Sequence, residues 1–126
     1  IEDVRPARIP VADLLFKAWE AEGVDGIVSS FDTLKENMDL YKIDDEEWYN
    51  LSLSLADNKA WNDIVEMWDY KLADKPMLGG YYYKARAYDS LNQISKAIEV
   101  MEEAVRVDST NNPNLRGYLQ SLQSRQ

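Results

Sequence analysis

Cysteine and histidine are both absent from the 126 residues of this chain. Without cysteine there is no disulfide, no thiolate nucleophile and no cysteine-based metal site. Without histidine the chain lacks the commonest general base and the commonest metal ligand. We therefore expect a protein that is not an enzyme and that uses no metal or cofactor.

Glycine and proline are scarce, with five and four residues. Long stretches free of both favour helices over many short strands. No run of 18 apolar residues occurs, so we expect no membrane insertion. A hydrophobic content of 45% with 29% charged residues is typical of a soluble globular domain.

Basic residues are too few to balance the acidic ones, and the net charge is −9. Residues 1–76 hold 18 acids and 8 bases, whereas residues 77–126 hold 5 acids and 6 bases. Nucleic-acid binding needs a positive surface that releases counterions from phosphates. The sequence therefore predicts no nucleic-acid partner.

The first residues differ from the rest of the chain. Residues 1–10 carry two prolines and no helical period, which predicts a linker over residues 1–9. The chain starts with Ile1 and shows no signal-peptide pattern, so we expect it to be part of a larger protein. The sequence does not choose between cytoplasm and periplasm.

Apolar residues then recur with a 3.6-residue period in seven segments, so the expected fold class is all-α. We expect Gly23 to end the first helix, Asp44 and Glu47 to cap the third, and Asn92 to adopt a left-handed conformation. Pro113 suits the first position of the last helix. The predicted helices cover residues 11–22, 24–37, 44–57, 60–73, 79–91, 94–107 and 113–124.

The helices repeat in pairs. The interval between the first anchor residue of a pair and the anchor on its second helix is 16 residues in all three cases: Val11 to Ile27, Trp48 to Ile64, and Tyr81 to Ala97. One helix pair cannot bury its own apolar face, so such units stack. The terminal helix offers an apolar stripe that would cover the last pair, formed by Leu115, Tyr118, Leu119 and Leu122.

Residues 78–112 resemble a tetratricopeptide repeat (TPR), with Tyr81, Ala85 and Tyr88 in the packing positions of its first helix. Units at about 10–40 and 44–76 resemble degenerate repeats beside the unit at 77–110. The resemblance implies a domain over residues 10–126. Its fold would be three antiparallel helix pairs in a right-handed superhelix, followed by a capping helix at 113–124.

A narrower resemblance covers about residues 10–110. The run GVDGIVSSFDTLKEN, an acidic connector and two more helix pairs are similar to the C-terminal appendage of bacterial serine hydrolases of the β-lactamase-like class. This resemblance implies a structural appendage that packs on, or dimerises, an upstream hydrolase domain. No Ser-x-x-Lys motif is present, so the hydrolase chemistry would lie outside these residues.

TPR domains bind peptides in a concave groove, and the resemblance implies which side chains would line it here. They are Phe16 and Trp19 from the first pair, Tyr49, Asn50 and Leu53 from the second, and Tyr82, Tyr83, Arg86 and Asp89 from the third. Aromatic area and a guanidinium group suit a peptide or protein partner. The alternative is that some of these residues pack on the terminal helix or on an upstream domain.

Other binding chemistries find less support in the sequence. One TPR subclass holds a peptide's terminal carboxylate, but Ala12, Phe16, Gly79 and Tyr83 occupy four of its five positions, and only Asn50 matches. The run from Asp44 to Glu47 has no alternating calcium-loop pattern, and helix capping explains it. The sequence names neither the partner nor the oligomeric state.

Overall fold

The computed structural model of the protein describes residues 8–126, and the first seven residues of the predicted linker lie outside this range. Almost every regular element is helical, so the predicted all-α class is confirmed. Two short strands occur, β1 (Ile9–Pro10) and β2 (Tyr41–Lys42). The helices are α1 (Ala12–Leu34), α2 (Asp45–Asp57), α3 (Trp61–Asp74), α4 (Leu78–Ser90), α5 (Ile94–Val107) and α6 (Pro113–Ser124).

The chain forms two compact units, which we call unit 1 (up to Ser54) and unit 2 (from Leu55 to Gln126). The division falls inside helix α2. Each unit has its own buried residues, and we describe them separately.

In unit 1, helix α1 consists of two helical segments that meet at Gly23. This residue has φ 68° and ψ −152°, a conformation that only glycine adopts readily. The predicted break between the first two helices is thus present. After the break, Gly26 lies so close to the carbonyl oxygen of Ala18 that an added Cβ would be 2.3 Å from it.

Polar contacts join the start of α1 to the start of α2. The buried Glu47 accepts a hydrogen bond from the backbone N–H of Ala12, 3.1 Å from its Oε1. This N–H belongs to the first turn of α1 and has no partner within the helix. The predicted N-cap of α2 is also present, because Asp44 Oδ1 accepts from the Glu47 N–H at 3.3 Å.

The end of the predicted linker takes part in the fold of unit 1. Ile9 and Pro10 pair in parallel with Tyr41 and Lys42, within the region expected to be a connector. In the same unit, Phe31 packs edge-on against the buried Trp48 with 5.0 Å between ring centroids. Two-residue strands carried no detectable period in the sequence.

In unit 2, consecutive helices pack in sequence: α3 on α4, α4 on α5, and α5 on α6. Gly80 allows the first of these contacts, since a Cβ there would lie 2.6 Å from the Trp68 ring. Leu72 of α3 packs against a core that α4, α5 and α6 share, formed by Tyr81, Ala85, Ala97, Ile98, Val100, Met101, Ala104, Leu115 and Leu122.

The helix ends of unit 2 follow the sequence expectations. Asn92 has φ 59°, and the N–H of the following Gln93 bonds to the carbonyl of Tyr88 at 2.8 Å. Pro113 is the first residue of α6, and the side chain of Asn112 caps this helix by accepting from the Asn114 N–H at 2.9 Å. These residues allow tight turns between packed helices.

The six anchor residues of the 16-residue interval are all buried. Val11, Ile27 and Ala97 are fully inaccessible, Trp48 and Ile64 nearly so, and Tyr81 is 9% exposed. The interval therefore marks core positions in every predicted pair.

Candidate binding surface

Helix α4 presents two different faces. One carries Tyr81 and Ala85, which belong to the core of unit 2, and Tyr88, which packs against that core. The other carries Tyr82, Tyr83, Arg86 and Asp89, none of them buried. Residues that are three, four or seven positions apart lie on the same face of a helix. The spacing of these residues in the sequence is therefore enough to separate the two sets.

Three of the four residues on the second face contact one another. The rings of Tyr82 and Tyr83 meet edge to face with 5.5 Å between centroids. The Arg86 guanidinium donates to the Tyr82 hydroxyl at 2.7 Å and lies 5.6 Å from the Tyr82 ring centroid. This contact holds a cation over an aromatic surface, an arrangement that both groups favour.

Helix α6 borders the same face. Tyr118 packs edge-on against Tyr82 with 5.4 Å between ring centroids. Arg125 forms an ion pair with Asp89, in which two guanidinium nitrogens lie 2.8 and 3.0 Å from the two carboxylate oxygens. Of the four predicted α4 residues, Tyr82 and Asp89 thus pack on the terminal helix, as the alternative interpretation of the groove anticipated for some of them. We call the set Tyr82, Arg86, Asp89, Tyr118 and Arg125 the α4–α6 surface.

The Tyr118 hydroxyl is buried and has no hydrogen-bond partner among the described residues. Burial, followed by the nearby negative charge of Asp89, raises the pKa of Tyr118 to about 12. The hydroxyl therefore keeps its proton at neutral pH. The sequence placed Tyr118 in an apolar stripe and gave no role to Arg125, the residue that follows the end of α6.

Unit 1 contains the other five predicted residues in two groups. Phe16 and Trp19 form an aromatic pair on the first segment of α1, with 5.4 Å between ring centroids. On α2, Tyr49 is partly buried, Asn50 donates weakly to the Glu47 carboxylate at 3.5 Å, and Leu53 is half exposed. Unit 1 thus carries its own aromatic side chains.

An open depression of about 330 Å³ lies between α4 and α5, and the sequence did not indicate it. Both of its lysines have partners: Lys84 pairs with Asp69 at 2.6 Å, and Lys96 lies 5.7 Å from the Tyr88 ring centroid. Burial raises the pKa of Tyr81 at its base. The depression is lined by Tyr81, Lys84, Tyr88, Lys96, Glu99, Val100 and Glu103.

Residues 8–126 contain no group of three or more acidic side chains placed to hold a metal ion. Within the predicted acidic run, Lys42 pairs with Glu46 at 3.2 Å and lies 3.9 Å from Asp44. None of the described helices combines the length and apolarity needed to cross a bilayer.

Comparison with known proteins gives no relative: no family model, curated protein or solved structure matches this chain.

Proposed function

We propose that the chain is a non-catalytic, TPR-like interaction module that binds a peptide or protein segment through the exposed face of α4. The observation that carries the proposal is the cluster of Tyr82, Tyr83 and Arg86 at the surface of unit 2. Tyrosine and arginine are the side chains most enriched among residues that dominate binding energy at protein interfaces.

The repeat architecture is part of this proposal. The burial of all six anchors and the sequential packing of α3 to α6 support it. Antiparallel pairs in a right-handed superhelix would follow if all three helix pairs stack as TPR repeats do. In that arrangement the first helix of each pair would line the binding surface, which is why α4 is the element proposed here.

The two α4 residues best suited to touch a partner are Tyr83 and Arg86. Tyr83 is only partly buried, and Arg86 is exposed with five donors in a planar fork. A rigid aromatic ring gives apolar contact area with little loss of side-chain entropy. We propose the Phe16–Trp19 pair and the α2 residues Tyr49, Asn50 and Leu53 as a further contact surface within unit 1.

Selection of binding peptides from a displayed library, with the full chain as bait, tests the proposal. We expect Tyr83→Ala and Arg86→Gln each to weaken selected peptides about tenfold or more, which corresponds to about 1.4 kcal/mol. Arg106→Gln is the matched control, because Arg106 lies on α5 beside Glu103. Peptides that bind both α4 variants as tightly as the unchanged chain would refute the proposed surface.

A structural appendage is a second candidate function, and the exposed apolar residues of unit 1 favour it. Ile9, Met38 and Leu40 are each between 44% and 54% exposed, and the Ile9 N–H bonds to the Leu40 carbonyl at 2.9 Å. Apolar patches of this kind mark interfaces between proteins or domains. Dimer formation through these residues can be tested by comparing the sedimentation of the unchanged chain with that of the Met38→Ser and Leu40→Ser variants. An unchanged chain that stays monomeric at high concentration would contradict dimer formation.

A further inference from the structure

Arg86 is the exposed cation at the centre of the α4–α6 surface, and its charge is not neutralised. Within residues 8–126 its guanidinium contacts Tyr82 and no carboxylate. Two other cations of unit 2 have carboxylate partners: Lys84 pairs with Asp69, and Arg106 pairs with Glu103. An unpaired guanidinium beside two tyrosine rings is well placed to bind a carboxylate with two parallel hydrogen bonds.

Arg125 adds a second guanidinium to the same surface. It pairs with Asp89, and both side chains retain access to solvent, so the pair contributes little stability and exchanges readily. Together Arg86, Arg125 and Asp89 carry one net positive charge. A ligand with one negative charge would neutralise this surface, whereas a cationic ligand would be repelled.

The Tyr118 hydroxyl lies where these charges meet. Asp89, Arg86, Tyr82 and Arg125 are the charged and titratable groups that act on it. It is a donor without an acceptor, and a buried hydroxyl in this state costs free energy. Asp89 is the one carboxylate in this group, but its oxygens are occupied by Arg125.

We propose that the α4–α6 surface binds a carboxylate of the partner segment between Arg86 and Arg125, and that Asp89, released from Arg125, then accepts a hydrogen bond from Tyr118. This proposal rests on the proposed function and specifies the chemistry of the partner. The partner is a segment with an acidic group next to an aromatic or large apolar residue, which packs on Tyr83. The carboxylate-binding positions of the TPR subclass lie elsewhere, at Ala12, Phe16, Asn50, Gly79 and Tyr83.

The proposed change of partner at Asp89, from Arg125 to Tyr118, would supply the partners that Tyr118 and Arg86 lack. Among residues 8–126 the Tyr118 hydroxyl has no hydrogen-bond partner and Arg86 has no carboxylate partner. In the complex both gain partners, and only the solvent-accessible ion pair between Arg125 and Asp89 is broken. Binding energy from the carboxylate would thus exceed that of one guanidinium pair alone.

Titration of the full ¹⁵N-labelled chain with three short peptides tests the proposal by NMR. Acetyl-Ala-Phe carries a terminal carboxylate, acetyl-Phe-Glu-amide carries a side-chain carboxylate, and acetyl-Phe-Gln-amide carries neither. We expect at least one carboxylate peptide to shift the Nε–Hε signals of Arg86 and Arg125 and to bind about tenfold more tightly than the Gln peptide. The stronger of the two shows whether the natural group is a chain terminus or an acidic side chain.

Two variants make the result specific. Arg86→Gln is expected to remove the preference for carboxylate, while Arg106→Gln retains it. Tyr118→Phe keeps the ring contact with Tyr82 and should weaken carboxylate binding about three- to tenfold, because Asp89 then gains no new hydrogen bond.

The outcomes separate the two proposals. If neither carboxylate peptide binds more tightly than the Gln peptide while the Tyr83 signals shift, the carboxylate inference is overturned and the peptide-binding function still stands. A preference that survives Arg86→Gln would also overturn the inference. The absence of any saturable shift with all three peptides would contradict the proposed function as well.

Discussion

The contacts that stabilise unit 1 internally differ in kind from those that stabilise unit 2. In unit 1, polar contacts join elements distant in sequence: Glu47 to the N–H of Ala12, and the short strand at Ile9 to the one at Tyr41. In unit 2, each helix packs on the next through apolar side chains, and α6 covers the last of them.

The difference appears in what each unit leaves uncovered. The large apolar side chains with the greatest exposure in residues 8–126 all lie in unit 1: Ile9, Leu14, Met38, Leu40 and Leu53. Unit 2 leaves no large apolar side chain as exposed as these, and the rings of Tyr82 and Tyr83 on α4 are only partly buried. Unit 1 thus exposes more of its large apolar side chains than unit 2 does.

The largest effect should come from the apolar core of unit 2. Met101 is fully buried, and we expect Met101→Ala to lower the free energy of unfolding by about 2–5 kcal/mol through reduced burial and a residual cavity. Urea denaturation measures the total loss of stability, and amide hydrogen exchange shows which helices lose protection. Met38→Ala is the control, since Met38 is 54% exposed and its loss should change stability by less than about 0.5 kcal/mol.

The break at Gly23 should be the next most sensitive position. An L-alanine at φ 68° and ψ −152° is strained, and we expect Gly23→Ala to destabilise the protein by about 1–3 kcal/mol. Gly117→Ala is the opposite case: no atom of the described residues lies within 4 Å of its added Cβ, and it should stabilise helix α6 by roughly 0.5–1 kcal/mol. If the two substitutions change the free energy of unfolding in the same direction, backbone strain at Gly23 does not explain the effect of Gly23→Ala.

Loss of the polar contact in unit 1 should have an intermediate effect. Glu47→Ala leaves the Ala12 N–H without its acceptor, and we expect a loss of about 1–2 kcal/mol, with faster hydrogen exchange at the start of α1. Glu46→Ala, one residue earlier and exposed, is the matched control. Unchanged exchange at Ala12 in Glu47→Ala would show that the contact does not hold the two helices.

The smallest effect should be a gain of stability in unit 2. Tyr118→Phe removes a buried hydroxyl without a partner, and we expect stabilisation of about 1 kcal/mol. The pKa of Tyr118 is raised to about 12 by burial, whereas a tyrosine in the unfolded chain titrates near pH 10. The native state thus keeps this proton longer, and stability falls as pH rises from about 10 to 12.

Thermal melts across this pH range provide the check. The alkaline loss of stability should be smaller in Tyr118→Phe than in the unchanged chain. Equal slopes in the two proteins would mean that the Tyr118 hydroxyl is not buried in solution as it is in the structure.

Local signals in the sequence predicted the helices and several of their ends. Gly23, Asn92 and Pro113 act through their own backbone preferences, so their effects are visible without knowledge of the fold. The anchor positions were also predictable, because apolar residues at a fixed interval must share a buried face.

The contacts between distant elements were not predictable. Glu47 was expected to cap its own helix; its carboxylate instead serves α1, 35 residues earlier. The candidate site shows the same limit: helical spacing placed Tyr82 and Arg86 on one face, but no local rule indicates that Tyr118 and Arg125 border it. Such pairings depend on how helices pack, and the sequence does not encode them at any fixed spacing.

The break in α1 has a consequence for chirality. In the part of the chain that the structure describes, no atom lies within 4 Å of a Cβ added at Gly23, so the space there is open. Its backbone angles are the mirror image of an ordinary extended conformation, so a D-alanine fits there without strain where the L-form does not. The position excludes side chains by handedness and not by size, and a chemically synthesised chain with D-alanine at residue 23 would keep the bend with a less flexible unfolded state.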